Sequence, residues 1–214
     1  MTALDFLFVF AHPDDESFYS GGLIAEARIA GLSTHVLSLT PGNTPERAKE
    51  FSLALQCLES SGTLGTFLDG HLEYHHNQVA EYIQQHIIGL KPSHIVTFGG
   101  EPHYNHRDHI AIEKAVVAAR QKTAPKARLW KRAYRPEETY ALRAMRAERP
   151  ITPKTRILEP ARLHSYQIPN HSVMICPAAR RAQLAGLACH HSQRPDSLAA
   201  YVTAQPHREL YFVD

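Results

Sequence analysis

Cysteine is scarce in this 214-residue chain: Cys57, Cys176 and Cys189 make an odd number, and no two of them form a C-x-x-C pair. That argues against a disulfide framework and a thiolate zinc site, and it is the usage expected of buried thiols in a reducing cytosol. Long hydrophobic runs are missing too. No apolar stretch approaches the roughly 20 residues that a membrane-spanning helix needs, and the first residues carry neither a cationic leader nor a small-residue cleavage site. A cytoplasmic protein without a membrane span is expected. The net charge is only +2, which gives no general attraction to nucleic acid. A glycine-rich phosphate loop is also absent: "SGG" (20–22) does not fit G-x-G-x-x-G, so a Rossmann-type nucleotide site is not expected.

What is present is enough apolar residue, 43%, for one domain spanning residues 1–214. "LDFLFVFA" (4–11) is a near-continuous apolar run of the kind buried on both faces of a parallel sheet. "SGGLIAEARIAG" (20–31) has helical spacing and stops at Gly31. Strands are predicted at 33–40, 63–69 and 92–100, and helices at 44–60, 77–90 and 107–121. The second helix has strong start chemistry, with Thr44 as N-cap and Pro45 in the first position. Strand and helix alternate throughout. That alternation predicts an α/β, Rossmann-like three-layer sandwich with a mostly parallel sheet.

Residues 120–156 differ in character. Twelve Lys or Arg stand there against three Glu, a local balance of +9, and Pro125, Pro136, Pro150 and Pro153 interrupt any long element. A solvated basic insertion is expected. The same stretch also suits a cationic wall that draws an anionic substrate to a nearby cleft.

Loops leaving the carboxyl ends of parallel strands gather along one edge, where ligands bind. "AHPDDE" (11–16) leaves the first strand and "GGEPHYNHRDH" (99–109) the fourth, so both clusters belong to one edge. Together they offer His12, Asp14, Asp15, Glu16, His106, Asp108 and His109, nitrogen and oxygen donors without a thiolate. Hydrolytic zinc sites use three such ligands and leave a position for water. His106 and His109, three apart at a helix start, share a face, so one can ligate while the other meets substrate. Taken alone, "HPDDE" also suits an acidic helix start, and Glu16 is read as a helix-start carboxylate.

"AHPDDE" after a first strand, with a later H-x-D-H opening a helix, resembles the PIG-L/LmbE family of zinc-dependent N-acetylglucosaminyl de-N-acetylases. "RAKE" (47–50), "FLD" (67–69) and "HHSQ" (190–193) are similar to further family segments. The resemblance implies a deacetylase acting on a linear amide of a small amino-sugar substrate, with zinc, or ferrous iron, held by His12, Asp15 and His109. It implies Asp14 as general base, His106 as the protonated partner of the oxyanion, and Tyr104 as a mobile group that helps hold it. Asp108 would orient a ligand imidazole, while Arg47 and Asp69 would contact sugar hydroxyls. His190, His191 and Gln193 fall near a helix end, at the cleft rim. Arg107 departs from the family, which commonly has Pro there. Two other readings remain: an amidase removing a larger N-acyl group, and a binding module whose metal is structural.

Overall fold

Every residue of Phe6–Phe10 is buried, so this strand, β1, needs a neighbour on each edge and a helix layer on each face. The structure, a computed structural model, supplies them. It describes residues 3–99, 106–134, 169–193 and 195–214. After β1 come α1 (Asp15–Ile29), β2 (Thr34–Ser38), α2 (Pro45–Cys57), β3 (Ser61–Leu64), α3 (His76–Leu90), β4 (His94–Phe98), α4 (Arg107–Thr123) and β5 (Arg128–Ala133). The C-terminal part adds β6 (His171–Met174), α5 (Pro177–Cys189), α6 (Pro195–Ala204) and β7 (Arg208–Val213), with one-turn 3₁₀ segments at Leu72–His75 and His191–Gln193.

The strands form one sheet in the order β3-β2-β1-β4-β5-β7-β6. Pairing is parallel from β3 to β5 and antiparallel for β7 with β5 and with β6. α5 packs on α1 and α2 in one layer, α3 on α4 in another, which completes the expected three-layer sandwich. From β1 the chain winds outward to β2 and β3, then crosses back to β4 on the other side of β1. The carboxyl ends of β1 and β4 therefore flank the point where the strand order reverses.

Three sequence expectations need correction. The first helix begins at Asp15, not at residue 20, and bends at Ser20 (φ −142°, ψ 18°). Its second half is capped from far away: the buried Glu209 carboxylate of β7 accepts the N–H groups of Gly22 (2.9 Å) and Leu23 (3.0 Å) and the Tyr211 hydroxyl (2.7 Å). The third strand stops at Leu64 rather than reaching 69. Gly65 lies so close to β2 that a Cβ there would collide with the Leu39 carbonyl oxygen, and the chain leaves the sheet as a loop to Asp69.

The basic segment is the third. Residues 128–133 are not a surface insertion but β5, with Leu129, Trp130 and Ala133 in the core. Arg132 is buried as well. Its guanidinium donates to the carbonyls of Tyr19 (2.7 Å), Leu210 (3.0 Å) and Ala133, and stacks 4.2 Å over the Tyr134 ring, so its charge is consumed inside the fold. Residues 135–156 lie outside the described residues. The three cysteines are free and half-buried, with the Cys57 and Cys189 sulfurs 3.8 Å apart. Among the described residues no helix is long and apolar enough to cross a membrane.

Glu209→Ala would leave four buried donors, the Gly22 and Leu23 amides, the Tyr211 hydroxyl and the Gln183 side-chain amide, without their carboxylate. It is expected to lower unfolding free energy by about 3–5 kcal/mol, read by urea denaturation. A loss below about 1 kcal/mol would show that Glu209 does not hold the two halves of α1 together.

Candidate active site

His12 stands two residues beyond β1, and α1 begins at Asp15, so the chain must turn within Pro13 and Asp14. Asp14 takes the bend at φ 113°, ψ −30°, a conformation rarely adopted by residues with a side chain. Such backbone costs on the order of 1–3 kcal/mol and persists only where its surroundings hold it. Across the switch point, α4 opens with His106 as its N-cap, whose Nδ1 accepts the Asp108 N–H at 3.2 Å. His109, one turn on, shares His106's face, with ring centroids 4.7 Å apart. Both rings reach His12, at 4.8 Å from His106 and 5.4 Å from His109.

Asp15 bridges the two clusters. One carboxylate oxygen lies 3.3 Å from His12 Nδ1, the other 3.3 Å from His109 Nε2, and all three side chains are buried. His12 Nε2 faces the other way, 3.0 Å from Asp108 Oδ2 and 3.3 Å from Asp69 Oδ1. Asp108 is fully buried and also accepts the N–H groups of Gly70 (2.6 Å) and Leu72 (3.1 Å), stapling the loop after β3 to α4.

Charge balance follows from this crowding. Burial works against an imidazolium at His12, yet Asp108, Asp15 and Asp69 together hold its pKa well above the ordinary value. Burial raises Asp15, but the neighbouring His109 and His12 outweigh it and keep the carboxyl well below its usual range. Asp14 goes the other way, to about 6, because burial and the Asp15 charge exceed the pull of Arg47, His190 and His12.

These carboxylates and imidazoles together offer donors to a cation. Among the described residues, two groups of donors converge within 4.8 Å, His12 with His106 and His109, and His12 with Asp69 and Asp108. The expected set of His12, Asp15 and His109 is linked by the Asp15 carboxylate through two different oxygens, Oδ2 toward His12 Nδ1 and Oδ1 toward His109 Nε2, and is neither of those two groups. The donor chemistry fits a divalent metal. Asp108 Oδ2, 3.0 Å from His12 Nε2, occupies the side of that ring turned away from Asp15.

Two predicted substrate contacts are drawn into this framework. Arg47 is buried on α2 and donates to the Pro13 carbonyl oxygen, with Asp14 Oδ1 at 3.4 Å and Asp69 Oδ2 at 3.7 Å. Asp69 is likewise buried, between His12 and Arg47. Arg107, the departure from the family pattern, is half-exposed and pairs with Glu73 at 2.8 Å. Tyr104 lies outside the described residues. The sequence reading missed the partnership of Glu16 with His190. His190 is not at a cleft rim but fully buried, 2.8 Å from Glu16 Oε1. The pair is 174 residues apart in sequence, so its one signal was the early "HPDDE" and late "HHSQ" taken together.

Residues 7–120 match the family described as PIG-L: GlcNAc-PI de-N-acetylase. A 1D-myo-inositol 2-acetamido-2-deoxy-alpha-D-glucopyranoside deacetylase of Rhodococcus jostii (strain RHA1) is 28% identical over 151 residues, 53% of this chain and 52% of that protein. The chain spans about half the length of that relative. Among solved structures, the conserved protein TT1542 of Thermus thermophilus has a TM-score of 0.70 at 24% identity, covering 98% of this chain and 94% of its own. The zinc inhibited form of teicoplanin deacetylase Orf2 also has a TM-score of 0.70, at 15% identity, covering 98% and 97%. These two likenesses are of fold.

Zinc added to the metal-free protein is expected to raise its unfolding temperature, and Asp15→Ala to remove that response, read by differential scanning calorimetry. A wild-type protein indifferent to zinc and to ferrous iron would show that these donors do not hold a metal.

Proposed function

The chain belongs to the PIG-L family of GlcNAc-PI de-N-acetylases, and on that premise we propose that it is a metal-dependent hydrolase of a linear amide. It removes the N-acetyl group from an N-acetylglucosamine-type glycoconjugate and releases acetate and a free amine. The observation that carries this reading is the Asp15 bridge between His12 and His109, with Asp14 beside it and outside the ligand set.

His12, Asp15 and His109 hold the metal, zinc or ferrous iron. A divalent cation there supplies Lewis acidity, acidifying water and polarising the acetamide carbonyl. Asp14 accepts a proton from the attacking water and returns it to the departing amine. His106, next to His12 and His109, donates to the oxygen on which negative charge develops, a role whose loss typically costs about 100- to 1000-fold in turnover. Tyr104 shares that task. Asp108 fixes the His12 ring. Arg47 and Asp69 place the sugar, and the bonds of Arg47 to Pro13 and Asp14 couple that placement to the base. A small amino sugar on an inositol or other polar aglycone is the substrate class favoured by the relatives, whose names specify a GlcNAc-inositol linkage. The basic residues of 135–156 would favour an anionic form.

The test is amine release from N-acetylglucosaminyl-inositol, N,N'-diacetylchitobiose and an N-butyryl analogue, with metal-loaded and chelator-stripped protein. Turnover is expected only with metal, with acetyl preferred over butyryl, and Asp14→Asn is expected to lower kcat by about 10²–10⁴-fold. Turnover that survives both chelation and Asp14→Asn would overturn the proposal, and a preference for butyryl would replace it with the amidase reading.

A further inference from the structure

The reaction proposed above uses Asp14 but does not explain how a residue so poorly suited to φ 113° is kept there. Three groups hold it. The Asp14 carbonyl accepts the Phe18 N–H at 3.0 Å as α1 begins. Arg47 donates to the preceding carbonyl, that of Pro13. The peptide N–H of Asp14, which the unusual φ turns inward, donates to Glu16 Oε2 at 3.0 Å.

Glu16 is itself fixed and out of reach of solvent. Its other oxygen, Oε1, accepts the Ser17 hydroxyl at 2.7 Å and faces His190 Nε2 at 2.8 Å. His190 is fully buried, its Nδ1 has no partner among the described residues, and it closes the last turn of α5 through its own N–H to the Leu187 carbonyl. The segment after it is clamped as well. Glu50 of α2 accepts both the N–H (2.8 Å) and the hydroxyl (2.6 Å) of Ser192. Two carboxylates, one from each neighbouring helix, thus seat the 190–193 turn, and that turn presents one imidazole to Glu16. Neither Glu16 nor His190 belongs to the donor groups that converge on His12.

We propose that Glu16 and His190 are positioning residues for the base: Glu16 locks the Asp14 peptide in its left-handed conformation, and His190, delivered by the end of α5, locks Glu16. The inference rests on the hydrolase reading for its kinetic consequence, but not for its structural one. Freed from Glu16, the Asp14 peptide can relax toward negative φ, which swings its carboxylate away from the attacking water while His12, Asp15 and His109 keep their places. A misplacement of about 1 Å in such a group can cost on the order of 100-fold.

The experiment compares wild type with Glu16→Gln, His190→Ala, His190→Gln and Ser17→Ala. Ser17→Ala removes one bond to Glu16 while emptying almost no space. Each is read for hydrogen exchange of the Asp14 amide by NMR, zinc binding by titration calorimetry, and kcat and KM on N-acetylglucosaminyl-inositol. Expected for Glu16→Gln and His190→Ala are Asp14 amide exchange faster by at least about 10-fold, kcat lower by about 10- to 100-fold, and KM and zinc affinity within about threefold of wild type. His190→Gln, which keeps a donor for Glu16, is expected to recover part of kcat, and Ser17→Ala to fall between. Unchanged amide exchange in these variants overturns the proposal. So does a loss of kcat matched by loss of zinc binding. If wild type turns over nothing, the hydrolase reading fails by itself, and Asp14 amide exchange alone decides whether the pair positions residue 14. Should Glu16→Gln and His190→Ala fail to fold, His190→Gln and Ser17→Ala carry the same decision.

Discussion

The His12 imidazole is shared by carboxylates from three separate elements, and the architecture of the edge follows from satisfying them. Asp15 comes from the first turn of α1, Asp69 from the loop after β3, and Asp108 from the first turn of α4. Buried acids this close repel one another unless a positive charge lies among them. The fold gathers them only because β1 and β4 are neighbours whose carboxyl ends open on the same reversal point. Asp108 extends the constraint outward by holding the Gly70 and Leu72 amides, so the position of a loop depends on the same imidazole.

Much of this was legible in the sequence where local pattern and tertiary role coincide. A fully apolar run could only be a central strand, and the His and Asp clusters after two such strands had to share an edge. The chain was less legible where a residue's partner is distant. Arg132 counts as surface charge in any tally of composition, yet the carbonyls of Tyr19, Ala133 and Leu210 absorb it, which hid β5 within a basic stretch. Ser20, Gly21 and Gly22 look like a helix start because they are one, for the second half of α1; the cap that makes it so comes from Glu209. The antiparallel strand β6 is four residues long, and both it and the six-residue β7 open with polar residues, His171–Ser172 and Arg208–Glu209, a pattern too weak to predict either.

The candidate site shows the same division. Ligand types and spacing pointed to two clusters, His12 to Glu16 and His106 to His109, because each is local in the chain, and the family resemblance implied His12, Asp15 and His109 among them. Arg47 and Asp69 were read as reaching outward, toward a sugar, and both also brace the 12–14 turn from within. Spacing alone cannot tell a side chain that contacts a ligand from one that supports its neighbour, since each requires the same residue near the same place.

The bend in α1 has a bearing on how the chain is assembled. The helix carrying Asp15 is completed by a carboxylate 187 residues further along the chain, and long-range closures of this kind are slow to form. A nascent chain emerging amino end first therefore displays its "HPDDE" segment long before the strand that finishes the helix behind it has been synthesised. Until then the second half of α1 lacks the carboxylate that caps it.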